Sequence, residues 1–576
     1  MKKKWLTLGC MALGAMFAFS GCGDASVDSS DPNKPVDPSD YIKQTAKSEY
    51  VVDSNYAPKN VKQQQGQIDV AIVFEGTEEG WQAVADEYSR LHSGAAVVNL
   101  VKGKTSATYS DEVKNALDGS GTDWDIIQGN LAGGKASTYC LDISGEVYKA
   151  NAYAGGKMWY SVLKEDAYIS DKSGVSNESY LINSEGLQTA WFVNTVALEK
   201  AGVEGYKNKN GDVANPVTWD DLMSLCYYME EAGYTNPLGI ALDTDSISAS
   251  QFTWLLRVYG DYYYRNEYVT IAEDQDKYKD MDDAKKFAYL SKEQPEAAKD
   301  YKYSLTRLFN VILDNGANDL YVGGESAKFQ DFVSQLGKMK NYLSLDAAST
   351  SMAEMRTKFG SQSGSNPPQI MLDYAGAGLG YMAKETASFK IDYFDYPYME
   401  STFVDEANTL LRDVGGNGGY LSIVAHPGNQ AQINLTLDFM KFFMSPYGQS
   451  VYYTGLEKAG STPMGLTTVL ADYVKIPAAW QEFFTSTDKI TFTGLSDSNP
   501  FISFFIRSLS EGTYSSAEAV RLWQGYLSTG SVESAREFGN SWHDVLKDDW
   551  KNFCKKTGYN ENCYLYPGQD PTYGGK

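Results

Sequence analysis

The side chains that most often carry catalysis or hold metals are few and scattered in this chain. Its three histidines, His92, His426 and His543, lie far apart and none belongs to an HExxH pair, so the spacing gives no support to a histidine-held metal. Gly103-Lys104-Thr105 has the tail of a phosphate-binding loop, yet Val98 stands where the first glycine of such a loop belongs. That segment reads as a surface turn. Gly376, Gly378 and Gly380 do not make GxGxxG, and no GxSxG nucleophile elbow occurs. Carboxylates are plentiful, 74 Asp and Glu against 50 Lys and Arg, but glycoside hydrolysis needs two of them at a set separation, and abundance alone selects no pair. Asn208-Lys-Asn210-Gly-Asp212 has part of a calcium-loop pattern without the ligand spacing or the terminal Glu. Adjacent Tyr452 and Tyr453 suit either a ferric ion or the packing of an aromatic-rich core. No metal and no cofactor is expected.

The elements that would position a site belong to a chain of 576 residues, long enough for two lobes of roughly 200 to 250 residues and a tether. The net charge of -24 makes nucleic acid and anionic membrane surfaces poor partners. Hydrophobic residues at 43% with 22% charged describe a globular protein. Of the six cysteines, Cys10 and Cys22 lie near the start, Cys140 and Cys226 sit among apolar neighbours as buried thiols, and Cys554 and Cys563 are close enough to close a small disulfide loop. No CxxC or other metal-ligand spacing links them.

Residues 1–21 read as an export signal: Lys2, Lys3 and Lys4, then an apolar stretch from Trp5 to Phe19 that is too short to span a bilayer, then small residues. The ending Phe19-Ser20-Gly21-Cys22 resembles the bacterial lipobox, with Phe19 in place of the usual Leu. The resemblance implies a lipoprotein, acylated at Cys22 with diacylglycerol and palmitate. Residues 22–65, rich in Asp, Ser, Pro, Lys and Gln, read as a flexible tether. A coil of that length spans on the order of 35 Å.

Beyond the tether the pattern alternates. Gln67–Phe74 is a short apolar run suited to a buried strand, and Trp81, Val84, Ala85, Tyr88 and Leu91 fall at helical spacing. Ala95–Val101 returns to strand character, a second helix begins near Ser110, and Trp124–Gln128 gives a third strand. Strand, helix, strand, helix, strand predicts an α/β fold with a parallel sheet. Ligands in such sheets lie beyond the carboxyl ends of strands, which directs attention to Glu75 and Gly76, and to Gln128, Gly129 and Asn130. A second α/β segment begins with strand Gly186–Asn194, and Thr218 with Asp221 has a capping-box pattern that starts a helix. Residues 265–350 read as mostly helical, Gln369–Tyr374 as a strand, Ala375–Gly380 as a tight turn, Tyr420–Ala425 as a strand and Gln430–Met444 as a helix.

These segments, in this order, resemble the extracellular solute-binding proteins of ATP-driven sugar importers, the family that contains maltose-binding protein. The likeness covers roughly residues 66–550. It rests on Trp124-Asp-Ile-Ile-Gln128, Gly156-Lys-Met-Trp-Tyr160, Ala190-Trp-Phe-Val-Asn194, Leu198-Glu-Lys-Ala-Gly202, Pro216–Leu222, Phe252-Thr-Trp254, Gly418–Ile423 and Leu437–Gln449. It implies a type II periplasmic-binding-protein-like fold of two α/β lobes joined by a hinge, with crossovers near 180–187, 412–418 and 455–463. The first lobe would hold 66–180 plus 418–455, and the second 187–412 plus 460–550, with 551–576 a tail.

The resemblance further implies an oligosaccharide held between the lobes without catalysis, delivery to permease subunits, and a monomer on the outer face of the bacterial cytoplasmic membrane. Sugars present apolar ring faces and hydroxyl rims, so a sugar cleft needs flat aromatics and carboxylate or amide groups. Trp254, Trp191, Tyr374 and Trp81 are the expected stacking residues. Glu75, Gln128, Asn130, Asp243 and Asn417 are the expected hydroxyl partners. Phe504 and Phe505 align with a late helix and read as packing. A surface glycan-active enzyme and the same fold with a non-sugar ligand stand as alternatives.

Overall fold

The computed structural model describes residues 40–74, 76–104, 106–118, 122–129, 136–164, 167–169, 179–203, 216–241, 251–271, 301–303, 327–404, 411 and 415–486. The chain divides into Met1–Tyr41 and Ile42–Lys576, and the elements that follow belong to the second unit.

Strand β1 (Gly66–Ala71), helix α1 (Glu78–Leu91), strand β2 (Ala96–Leu100), helix α2 (Ser106–Asp118) and strand β3 (Ile126–Gln128) follow the predicted alternation. β1 lies between β2 and β3, parallel to both, with Ile68 opposite Val98 and Val70 opposite Ile126. Trp81, Val84, Ala85, Tyr88 and Leu91 make the buried face of α1, as their spacing predicts. Glu78 and Glu79 complement the positive end of its dipole. α2 starts four residues earlier than the predicted Ser110.

Strand β4 (Leu181–Asn194) is 14 residues long, more than twice an ordinary strand. Beyond it come helix α3 (Trp219–Glu231), strand β5 (Leu238–Gly239), helix α4 (Gln251–Tyr268), helix α5 (Ala327–Gly337), helix α6 (Met352–Ser361), strand β6 (Ile370–Tyr374), helix α7 (Ala375–Met382) and strand β7 (Ile391–Phe394). The predicted capping box opens α3: Thr218 Oγ1 accepts from the Asp221 amide at 3.1 Å, and Asp221 Oδ2 accepts from the Thr218 amide at 2.8 Å. Strand β8 (Gly415–Ile423), helix α8 (Gln430–Phe443), helix α9 (Pro446–Ala459), strand β9 (Leu466–Thr467) and helix α10 (Ala478–Ser486) complete the set.

One mixed sheet runs in the order β2-β1-β3-β8-β4-β6-β5, with β7 and β9 also paired to β4. Its length lets β4 serve two neighbourhoods. Its first half pairs antiparallel with β8, and its second half with β6 and β7. Ile182 belongs to the apolar core built on β1–β3 with α1, α8 and α9, whereas Trp191 and Val193 belong to the core under α3, α4 and α5. These are the two lobes.

Four local expectations change. Residues 42–65 are not a free tether, because Tyr50 and Val61 are buried in the first core and the Lys47 amide donates to Tyr447 Oη at 2.8 Å. Tyr56 also stacks on Tyr473 at 3.9 Å. Polar composition hid a few anchoring aromatics. Val469, Val474 and Ile476, expected in the second lobe, pack in the first-lobe core. Within 265–350, read as mostly helical, Val269–Ile271 and Tyr301–Tyr303 are an antiparallel pair, while 272–300 and 304–326 lie outside the described residues. Ala375–Gly380 is helical rather than a turn: a Cβ on Gly376 would lie 2.1 Å from Met464 O, and one on Gly378 2.5 Å from the Phe192 ring. Close packing, not a turn, requires those glycines.

Cys140 and Cys226 are buried free thiols, as read from their neighbours. Burial pushes the Cys140 thiol up to about 11. Cys22, Cys554, Cys563 and the partial calcium loop at 208–212 lie outside the described residues.

Candidate functional site

At the carboxyl end of β6 a buried ion pair supports an aromatic shelf. Asp373 has no solvent exposure. Arg356, one turn from the start of α6, grips it with two groups, Nε to Oδ2 at 2.8 Å and Nη2 to Oδ1 at 2.7 Å. Tyr381 from α7 donates to Oδ2 at 2.5 Å, and the Tyr374 amide donates to Oδ1 at 2.7 Å. Every lone-pair direction of that carboxylate is therefore spoken for. Burial works against the Arg356 charge, but Asp373 beside it raises the guanidinium above its ordinary range.

The same guanidinium lies 5.7 Å from the centroid of Tyr374, whose other neighbour is Trp254 at 4.7 Å with the rings inclined by 58°. Tyr374 is half-buried. Trp254, one of the expected stacking residues, is only 2% exposed and belongs to the second-lobe core. Its ring backs Tyr374 instead of facing solvent, because Leu255, Val258 and Tyr259 carry the same helix face inward. Gln251, fully buried at the start of α4, ties the two elements together: its Nε2 donates to Leu372 O and its Oε1 accepts from the Ala241 amide.

In the first lobe, Gln128 ends β3 partly exposed. Its amide N–H donates to Tyr109 Oη at 3.1 Å, and Tyr109 donates in turn to Ala71 O. Gln128 Oε1 accepts weakly from the Val73 amide at 3.4 Å. These bonds clamp the ends of β1 and β3 together. Nearby, Lys104 Nζ stands 4.3 Å from the Trp124 ring and pairs with Glu112 at 2.5 Å. Gly103 has a φ of 82°, a left-handed backbone that suits glycine, and Thr105 of the segment resembling a phosphate loop lies outside the described residues.

Two expected stacking residues move to the core. Trp81 is 4% exposed and stacks on Phe443 at 4.2 Å, since it lies on the inner face of α1. Trp191 has no exposure: it lies on the central strand β4, parallel to Phe394 at 6.2 Å and edge-on to Trp219 at 6.3 Å. Tyr452 and Tyr453 are likewise buried, and Tyr453 Oη accepts from the Thr467 amide at 2.8 Å and donates to Gly465 O at 3.1 Å. Packing, not iron, explains that pair. Asn417 lies in β8 opposite Gly186. Glu75, Asn130, Asp243, Phe504 and Phe505 lie outside the described residues. Thus the structure brings Trp254 and Tyr374 together, buries Trp191 in the same second-lobe core and places Trp81 in the core of the other lobe. Sequence reasoning missed Arg356, Asp373 and Gln251; the Asp373-Tyr374 doublet at a strand end was their one visible sign. No group of three or more metal-ligating side chains occurs among the described residues.

No protein-family model and no curated protein matches this chain. Solved structures do. The raffinose complex of the solute-binding protein RafE is 13% identical, covering 84% of this chain and 100% of that one at a TM-score of 0.50. A chitin oligosaccharide binding protein is 13% identical over 84% of this chain and 99% of that one at a TM-score of 0.51. UgpB of Mycobacterium tuberculosis, in complex with glycerophosphocholine, is 11% identical over 85% of this chain and 99% of that one at a TM-score of 0.51. At such identities what is shared is the fold. The chain has the two-lobed α/β fold, type II, of the extracellular solute-binding proteins.

Proposed function

We propose that this chain is a binding protein that captures an oligosaccharide between its lobes and delivers it to the permease of an ATP-driven importer, anchored through acylated Cys22 to the outer face of the cytoplasmic membrane. The observation that carries this reading is the half-exposed ring of Tyr374, held from behind by Trp254 and Arg356 at the carboxyl end of β6. A rigid aromatic face is what a pyranose ring requires, and amide or carboxylate groups are what its hydroxyls require. Gln128, Glu75, Asn130, Asp243 and Asn417 are the proposed hydroxyl partners. Two proteins of the same fold are named for raffinose and chitin oligosaccharide. The sequence carries no specific catalytic motif, so binding without turnover is the expected chemistry. UgpB, with glycerophosphocholine, supplies the competing reading of a non-sugar ligand.

Calorimetry of the mature chain against raffinose, chito-oligosaccharides and glycerophosphocholine separates these readings. One site per chain is expected for a sugar, with a Kd in the micromolar region or tighter, about -8 kcal/mol. Tyr374→Ala is expected to weaken that binding at least tenfold, about 1.4 kcal/mol, with a melting temperature close to that of the wild type. Shortened glycans in the mixture would establish an enzyme instead, and heat with glycerophosphocholine alone would establish the non-sugar ligand.

The anchor has its own test. In a native-like host Cys22→Ala should move the protein from the membrane fraction to the soluble one. A variant that stays with membranes removes the anchor from the proposal.

A further inference from the structure

Glu185 sits where three segments pair. Its backbone lies opposite Gly418 of β8 on one side and Thr467 of β9 on the other. β4 runs from the first core to the second, β8 pairs along it from Gly415 opposite Gln188 to Leu421 opposite Ile182, and the stretch before β9 lays Pro463 and Met464 against Gly376 of α7. All the described strands that reach from one lobe to the other are therefore abreast at this residue. A bend between the lobes has to pass through β4 between Ile182 and Trp191, and Glu185 lies in that stretch.

The carboxyl group there is poorly provided for. The residue as a whole is half-buried, but its Oε2 is buried and has no hydrogen-bond partner among the described residues. Only the nearby Gly465 amide favours its ionised form. Two residues earlier on the same strand face, Asn183 is fully buried with neither its amide nitrogen nor its oxygen bonded among the described residues. Gly419, at a φ of 59°, closes the other side, since a Cβ there would lie 2.1 Å from Ser184 Oγ and 3.4 Å from Glu185 Oε1. Beside the carboxyl is a cavity of about 10 Å³, room for a single water, lined by Trp81, Ser184, Phe443, Gln449, Tyr452 and Tyr453.

Among the described residues the surrounding elements bring no counter-ion. α1 presents Trp81, α8 presents Phe443, α9 presents Gln449, Tyr452 and Tyr453, and β8 and the stretch around β9 present Gly418, Gly419, Gly465 and Thr467. The two phenols are the titratable groups among them. Both are pushed up, first by burial and then by the Glu185 charge. No cation among the described residues is ion-paired with Glu185.

We propose that Glu185 is a proton-controlled latch of the hinge: neutral, it stays in this junction and holds the lobes in the present arrangement; ionised, it favours an arrangement in which bulk water reaches the carboxylate. The physical basis is the penalty on an unpaired buried charge, which a few ångströms of opening removes. Burial pushes this carboxyl up to about 7. An exposed glutamate titrates at roughly 4.3. The hinge arrangement with the buried group therefore binds its proton more tightly than a hydrated one. Its advantage is complete below roughly 4.3, falls as pH rises through that window, and is spent above about 7.

Small-angle scattering of the ligand-free mature chain, read on either side of the window, is expected to show two interlobe arrangements, and Glu185→Gln should keep the low-pH one throughout. Glu185→Met serves as a second neutral variant should the first misfold. The ¹³C carboxyl resonance of Glu185 in the wild type gives a readout without any substitution and should titrate near 7. Identical scattering at both ends of the window overturns the proposal. So does a folded neutral variant that responds as the wild type does, or a Glu185 resonance titrating near the ordinary value. Since no ligand is used, failure here leaves the oligosaccharide reading standing, and failure of that reading leaves this one standing.

Discussion

Arg356→Met is expected to lower folding stability by about 3–5 kcal/mol, the usual effect of removing one partner from a buried ion pair. The reason is Asp373. It has no exposure, and without Arg356 it keeps only Tyr381 and the Tyr374 amide as donors. Replacing both partners, Arg356→Met with Asp373→Leu, removes the stranded charge and should recover much of the loss. Urea unfolding of the single and double variants reads this directly. A single variant within about 1 kcal/mol of the wild type would mean that Tyr381 and one amide suffice to hold a buried carboxylate.

Trp254→Ala should do comparable damage to folding, about 3–5 kcal/mol, because it empties a packed site under Leu255, Val258 and Tyr259. It should also loosen Tyr374, which loses the ring that backs it at 4.7 Å. Trp254→Phe keeps most of that support and should fall between the wild type and the alanine variant in both stability and binding. A Trp254 that stacked on ligand, as the sequence analysis expects, would do the reverse and lose affinity with little change in melting. Thermal unfolding without ligand separates the two. An alanine variant that melts within a few degrees of the wild type yet binds poorly would return Trp254 to the cleft.

That reversal shows what composition and spacing can carry. The inner face of α1 and the capping box at Thr218 were legible because they are local, set by residues three or four apart. The order of strands and helices was legible for the same reason. Which aromatics meet a ligand was not. A core tryptophan and a cleft tryptophan are one residue type, and only long-range packing distinguishes Trp81 and Trp191 from Tyr374. Arg356 and Asp373 were silent because seventeen residues separate them in sequence and nothing local announces the pair. The glycines of α7 misled because helix propensity gave way to the close approach of Met464 and Phe192. In 42–65, a polar stretch concealed Tyr50, Tyr56 and Val61, which strap it to the lobe.

The strap and the late helices bear on the order in which the chain can fold. Glu87 on α1 bonds Tyr447 across 360 residues at 2.7 Å, and Lys475 bonds the Glu49 carbonyl across 426 residues at 3.0 Å. The first-lobe core counts both Tyr50 and Ile476 among its buried residues. It therefore cannot close until nearly the whole described chain is present, whereas Trp191–Leu411 of the second-lobe core is one continuous stretch. Loop closure over such separations is slow. A chain emerging from its N-terminus would therefore hold the whole Trp191–Leu411 core before the first-lobe core can close, while the other face of the second lobe waits for Phe483 and Phe484.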